Sequence, residues 1–189
     1  MADKKLTNNN VKCEQFKEIL QKYDTKIFNL LLSLTGSTEE AKDLTQETFI
    51  KTFKKFRLFQ KKSHPYTWLY RIAINSWKNK IRYDKRRGIP WQESIDTPQL
   101  SSEQPLISQF KDTATSYPEQ IAQSEETRNY IRKFILSLSP KYRIPVTLYI
   151  KGFSYEEIAH IIKRRLGTVK SLIFRAKTML KDKIIEYLK

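Results

Sequence analysis

The chain has 189 residues, 39% of them hydrophobic, which suits one or two small domains with modest cores. Lys and Arg number 36 against 20 Asp and Glu, and the formal charge of +16 implies a polyanionic partner, either nucleic acid or an acidic membrane surface. No apolar run approaches the ~18 residues of a membrane span. The first ten residues lack the apolar core of a signal peptide. The single cysteine, Cys13, excludes an internal disulfide framework and is expected to be a buried structural residue. With only His64 and His160 beside it, a conventional zinc site is not expected, and neither is any other cofactor. A reducing bacterial cytoplasm is the expected compartment.

The pattern reads as all-α throughout: apolar residues recur at three and four, glycines number four, and no segment alternates with period two. The first helix is predicted over about 13–34, closed by Gly36. Ser37 or Thr38 caps the second, 38–57, ahead of Glu39 and Glu40. Its apolar face carries Ala41, Leu44, Phe49, Phe53 and Phe56. On the opposite side Asp43, Gln46, Glu47 and Ile50 sit together, an exposed isoleucine framed by acids and an amide, as a protein-docking spot would be.

A basic polar loop, Lys61-Lys62-Ser63-His64, leads into a third helix over 66–86. Leu69, Ile72, Ala73 and Ser76 point to its core side, and Arg71, Asn75, Lys78 and Arg82 form one polar stripe bordered by Trp68 and Asn79. Cations interleaved with an aromatic suit stacking on single-stranded nucleic acid and tracking its backbone. Half of the Trp68 ring is expected to be buried.

Residues 88–126 differ in kind. They hold one Lys and seven acids, net −6, with Pro90, Pro98, Pro105 and Pro118, whereas residues 1–87 and 127–189 are each net +11. The chain is therefore expected to form two small helical domains, 1–87 and 127–189, joined by a flexible acidic linker. Ile89, Trp91, Leu100 and Phe110 make that linker more apolar than an inert spacer requires, so it is expected to lie on a partner.

Helices over 126–137 and 140–151 precede a helix-turn-helix. Ser154 followed by Glu157 is a capping-box pattern that starts a helix over 154–163. After the turn Lys163-Arg164-Arg165, the helix over 167–187 has an apolar seam of Val169, Ile173, Ala176 and Leu180. Thr168, Lys170, Ser171, Phe174, Arg175 and Lys177 lie outside that seam, suited with Arg164 and Arg165 to phosphates and base edges in the major groove.

Four motifs then stand in order: Asp43-Leu-Thr-Gln-Glu-Thr-Phe-Ile-Lys, Tyr66-Thr-Trp-Leu-Tyr-Arg-Ile-Ala-Ile-Asn, Ser154-Tyr-Glu-Glu-Ile-Ala and Gly167-Thr-Val-Lys-Ser. Together they resemble the extracytoplasmic-function (ECF) subfamily of sigma-70-type RNA polymerase sigma factors, over about 14–87 and 127–185. The resemblance implies region 2 in the first domain and region 4 in the second. It implies docking of Asp43, Gln46, Glu47 and Ile50 on the β′ clamp helices of core RNA polymerase, with the β flap as a further contact. It implies recognition and melting of the promoter −10 element by Lys61, Lys62, Ser63, His64, Trp68, Arg71, Asn75, Lys78, Asn79 and Arg82. Arg164, Arg165, Thr168, Lys170, Ser171, Phe174, Arg175 and Lys177 would then read the −35 element. The linker would thread toward the active-site and RNA-exit channels.

An anti-sigma factor is a further implied partner, and it could hold the chain at the membrane. The chain departs from the family at Lys163, where relatives have a turn glycine, and at Leu172, where they carry an arginine; Arg164 and Arg165 could replace that phosphate contact. Lys163 is expected in a left-handed conformation. The chain ends just past its last predicted helix, and no additional regulatory domain is expected. No catalytic residue, small-molecule substrate or membrane insertion is expected. A stand-alone helix-turn-helix regulator would explain 154–177 but not the Asp43 and Trp68 motifs. A recombinase or nuclease would need a metal-binding or nucleophilic cluster that the scattered acids of 1–87 do not supply.

Overall fold

The computed structural model describes residues 2–56, 65–89 and 125–187. All secondary structure among them is helical, in the order α1 (Ala2–Thr35), α2 (Thr38–Phe56), α3 (Pro65–Arg86), α4 (Glu125–Ser137), α5 (Pro140–Ile150), α6 (Tyr155–Ile162) and α7 (Leu166–Tyr187). The loop residues Lys61 to His64 and most of the acidic linker lie outside the described residues, as does the Cys13 side chain.

Helix ends follow their local chemistry. Gly36 takes φ +76°, a left-handed value open to a residue without Cβ, and its N–H closes α1 on the Leu32 carbonyl. Ser37 then caps α2, its hydroxyl accepting from the Glu40 N–H at 3.4 Å. At α6 the capping box is complete: Ser154 accepts from the Glu157 N–H, and the Glu157 carboxylate accepts from the Ser154 N–H at 2.8 Å. Lys163 closes α6 at φ 53°, ψ 56°. It is the one described non-glycine residue at positive φ. Helix α1 starts earlier than the expected residue 13, because helix propagation adds residues at little cost once nucleated and Asn is only a modest penalty.

The N-terminal helices α1, α2 and α3 pack together around Leu30, Leu34, Ala41, Leu44, Leu69 and Ala73. The buried face of α2 also carries Thr45, Thr48 and Thr52, polar residues that the sequence pattern hides. Each hydroxyl donates to the carbonyl four residues back, at 2.6–2.7 Å, so none is left unsatisfied in the core. Phe49 is buried as expected, but Phe53 is not a core residue: it is 54% exposed and meets the edge of Phe16, 5.1 Å between centroids. On the helical wheel it lies on the flank of the buried seam, which runs on past it through Thr52 to Phe56.

In the C-terminal helices, Val169, Ile173, Ala176 and Leu180 are all buried, as the seam requires. Leu172 is buried beside them. The two helical groups do not stand apart: one hydrophobic cluster runs from Leu34 and Trp77 through Ile144 and Leu148 to Ile158 and Ile173.

Two stability effects follow. A non-glycine left-handed residue costs about 1 kcal/mol or more, so Lys163→Gly is expected to raise the melting temperature by about 2–4 °C; scanning calorimetry checks it. Lys151 closes α5, and burial pulls its amine down to about 8 from 10.5. The unfolded chain therefore binds more protons between those values, and stability rises with pH across that window. Lys151→Met is expected to raise the melting temperature at about pH 7 and to lose that advantage as pH climbs through the window. A gap that does not change with pH would mean that the folded amine is fully hydrated.

Candidate promoter and polymerase interfaces

Four side chains of α2 singled out from the sequence, Asp43, Gln46, Glu47 and Ile50, are exposed together, Ile50 by 55%. Glu47 pairs with Lys51 at 2.5 Å, and Lys51 donates to the buried Ser76 of α3 at 3.1 Å. This tie holds the acidic face of α2 against α3. Between the two helices lies an open groove of about 710 Å³, lined on one side by Asp43 and Glu47 and on the other by Asn79, Arg82 and Arg86. Lys80 bridges the walls, 3.5 Å from both Glu40 and Asp84. Docking residues and nucleic-acid-reading residues of the sequence analysis thus share one groove.

On α3, Asn75, Asn79 and Arg82 are exposed, while Trp68, Arg71 and Lys78 are half-buried. Arg82 reaches back to the Asn79 amide oxygen at 3.4 Å. Lys78 has its amine held below the usual lysine range, by burial first and then by the like charges of Arg164 and Arg82. Arg164 belongs to the turn of the other domain. The two cationic surfaces therefore meet.

Arg71 is where they touch. Its guanidinium donates to the carbonyls of His160 at 2.5 Å and Ile161 at 3.3 Å. Those are end-of-helix carbonyls of α6, groups that lack an intrahelical partner and carry the negative end of the helix dipole. Tyr66 donates to the Glu157 carboxylate, which holds the Tyr66 phenol above its ordinary range. Tyr66 and Tyr70 flank Phe153, at 6.2 and 4.8 Å between centroids.

A second arginine crosses in the opposite direction. Arg143 of α5 is 2% exposed. It donates to the Leu34 carbonyl of α1 at 2.9 Å and to Leu138 at 3.1 Å, and its guanidinium carbon lies 5.7 Å from the Trp77 ring. Sequence reading passed over this residue. The signal that could have found it is an arginine inside an otherwise apolar helix, Ile144 to Ile150 following directly.

On α7, Thr168, Lys170, Ser171, Phe174 and Arg175 are exposed, Phe174 by 70%, and Arg164 and Arg165 project from the turn. Ser171 donates to the Thr168 carbonyl at 2.9 Å. Lys177 is placed differently from its neighbours. It is half-buried, 4.2 Å from the Tyr149 ring centroid, and donates to the Tyr149 hydroxyl at 3.1 Å. Tyr149 stacks on Tyr155 at 5.4 Å, and the Lys170 amine lies 6.0 Å from the Tyr155 ring. The stacked phenols thereby hold α7 against α5 and α6. Among the described residues no group of three His, Cys, Asp or Glu is arranged to hold a metal ion, and no helix is long and apolar enough to cross a membrane.

Residues 19–87 match the family model of Sigma-70 region 2, and residues 128–180 match that of Sigma-70, region 4. The ECF RNA polymerase sigma-E factor of Escherichia coli (strain K12) is 36% identical over 179 residues, covering 88% of this chain and 91% of that protein. Its counterpart in Haemophilus influenzae is also 36% identical, over 88% of this chain and 92% of that one. Among solved structures, the sigma factor RpoE in complex with the anti-sigma factor NepR from Bartonella quintana superposes with a TM-score of 0.64 at 25% identity, over 89% of this chain and 96% of that one. CnrH in complex with the cytosolic domain of CnrY gives 0.62 at 16% identity, over 90% and 88%, and shows the shared fold alone. A groove-forming helix pair of one sigma region, an intact helix-turn-helix of the other and 36% identity to sigma-E proteins over most of both chains have one reading: the chain belongs to the ECF RNA polymerase sigma factors, non-enzymatic initiation factors that bind core polymerase and promoter DNA.

Proposed function

We propose that this sigma factor grips a promoter at two points. The α7 helix reads the −35 element in the major groove through Lys170, Ser171, Phe174 and Arg175, with Thr168 at its start and Arg164 and Arg165 on flanking phosphates. The α3 stripe, with the preceding Lys61–His64 loop, holds the unstacked −10 strand. Asp43, Gln46, Glu47 and Ile50 dock on the β′ clamp helices, and the second domain contacts the β flap. Polymerase supplies the nucleotide chemistry.

The observation that carries this reading is that cations gather on two helices, α3 within the segment matched to region 2 and α7 within the segment matched to region 4, with Lys170 and Arg175 of α7 exposed. Exposure of Phe174 by 70% supports a base-edge contact, since an aromatic gains nothing in water. Opening a duplex step costs a few kcal/mol, which capture of an unstacked base offsets. Holding both sites through one tether raises the effective concentration of each lobe at its element. We further propose that the protein works in the bacterial cytoplasm and is held inactive by an anti-sigma factor. Its likeness to RpoE, solved with the anti-sigma factor NepR, supports that partner class.

Run-off transcription with core polymerase, followed by promoter selection, tests the function. In that assay Lys78→Ala is expected to cut open-complex formation at least tenfold, about the effect of 1.4 kcal/mol, while core binding stays unchanged. Loss of both together would argue against the division of labour between α2 and α3. Lys170→Ala is expected to weaken binding to the upstream element and to reduce the log–log salt slope by about 1, the signature of one lost phosphate contact. An unchanged slope would remove Lys170 from the phosphate-contact set.

A further inference from the structure

Two lysines of α7 meet a pair of aromatic rings that belong to other helices. Tyr149 comes from the last turn of α5 and Tyr155 opens α6, so the pair spans the turn between those helices. The rings stack at 5.4 Å with 20° between their planes. Lys177 lies over Tyr149, 4.2 Å from its centroid, and donates to its hydroxyl at 3.1 Å. Lys170 takes the other ring, 6.0 Å from the Tyr155 centroid. At about 100° per residue the two lysines share one side of α7, and Arg175 lies about 140° round the helix from Lys170.

The two cations are held unequally. Lys177 is half-buried, and its ring contact and its hydrogen bond go to the same phenol. To reach a phosphate it has to give up both. Lys170 is exposed and stands at the edge of the ~6 Å range of a cation–π contact, so it rests on Tyr155 without being bound there. Burial first, and then Tyr149, hold the Tyr155 phenol above its ordinary range, so at neutral pH Lys170 meets a neutral ring and not a phenolate.

From this we infer that Lys177 is a positioning residue and not a DNA contact. It pins Tyr149, Tyr149 stacks on Tyr155, and Tyr155 sets the direction from which the Lys170 amine enters the major groove. A lysine that is already oriented loses less rotamer freedom when it binds. Discrimination at the base pairs that Lys170 meets therefore depends on three side chains that do not themselves touch DNA. Arg175, on a different side of α7, reads its base pairs independently of the stack.

This inference rests on the reading of α7 proposed above, and its test has one arm in the free chain and one at the promoter. In the free full chain, proton NMR reads the Lys177 ε-methylene, which the Tyr149 ring is expected to shift upfield of an ordinary lysine. Tyr149→Leu is expected to return it to the ordinary position. An unshifted signal in the wild-type chain overturns the positioning role, whatever α7 reads.

At the promoter, polymerase holoenzyme is titrated with duplexes carrying the selected upstream element or each single-base change in it, over a range of salt. Lys177→Met is expected to weaken binding to the selected element about three- to tenfold, the worth of one cation–π contact. The log–log salt slope is expected to stay unchanged, because no phosphate contact is lost. The loss falls on the base pairs that Lys170→Ala also affects and spares those that Arg175→Ala affects. Lys177→Arg, which keeps the cation and the donor, restores binding. Tyr149→Phe removes only the hydroxyl and gives a smaller loss at the same base pairs, which keeps the test decisive if Lys177→Met misfolds. A slope reduced by about 1 in Lys177→Met makes that residue a phosphate contact, and a loss spread evenly over the element makes its role purely structural; either result overturns the inference. A shifted methylene together with unchanged promoter binding in Lys170→Ala overturns the reading of α7 instead.

Discussion

A helix end buried without partners for its last carbonyls is unstable, and the arrangement of this molecule turns on how two such ends are satisfied. The C-termini of α1 and α6 both come to rest where the domains meet. Neither has enough local capping. At α6, the Lys163 and Arg164 N–H groups both serve the Ala159 carbonyl, leaving His160 and Ile161 for Arg71. At α1, the Gly36 N–H takes Leu32, leaving Leu34 for Arg143. Each domain completes the other's helix, and the apolar cluster can then run unbroken between them.

The same residues carry a conflict between this packing and the strand contact proposed for them. Arg71 stands in the stripe that the proposed function assigns to the −10 strand, yet here it serves a protein carbonyl. Lys78 is drawn into partial burial near two cations, an arrangement that a phosphate backbone would relieve. Local sequence chemistry at these positions is thus not optimised for the closed packing. The acidic face of α2 shows no such tension. Asp43, Gln46, Glu47 and Ile50 are all exposed.

On α7 the stacked tyrosines separate two kinds of lysine. Lys170 extends from the helix in the open, while Lys177 is folded onto Tyr149 and helps to fix how the reading helix sits on its neighbours. Both look alike on a helical wheel. A wheel ranks residues by angle only, and Lys177 lies near the border of the buried seam, within reach of a ring on α5 that no wheel of α7 contains. The buried Leu172 deepens the core beside Val169 and Ile173.

Much of this was legible in the chain itself because it depends on neighbours in sequence. The helical period, the Gly36 and Ser37 boundary, the Ser154–Glu157 capping box, the left-handed Lys163 and the Val169 seam are all local, set by the geometry of three or four consecutive turns. Other features depended on which surfaces meet, and the tertiary structure alone decided them. Phe53 left the core because it lies on the flank of the buried seam of α2, and the threonines entered it because their hydroxyls could bond within their own helix. Arg71 and Arg143 acquired partners 90 and 109 residues away in sequence. No periodicity reports such pairings, because a helix end recruits whatever donor the packing of the whole chain brings to it.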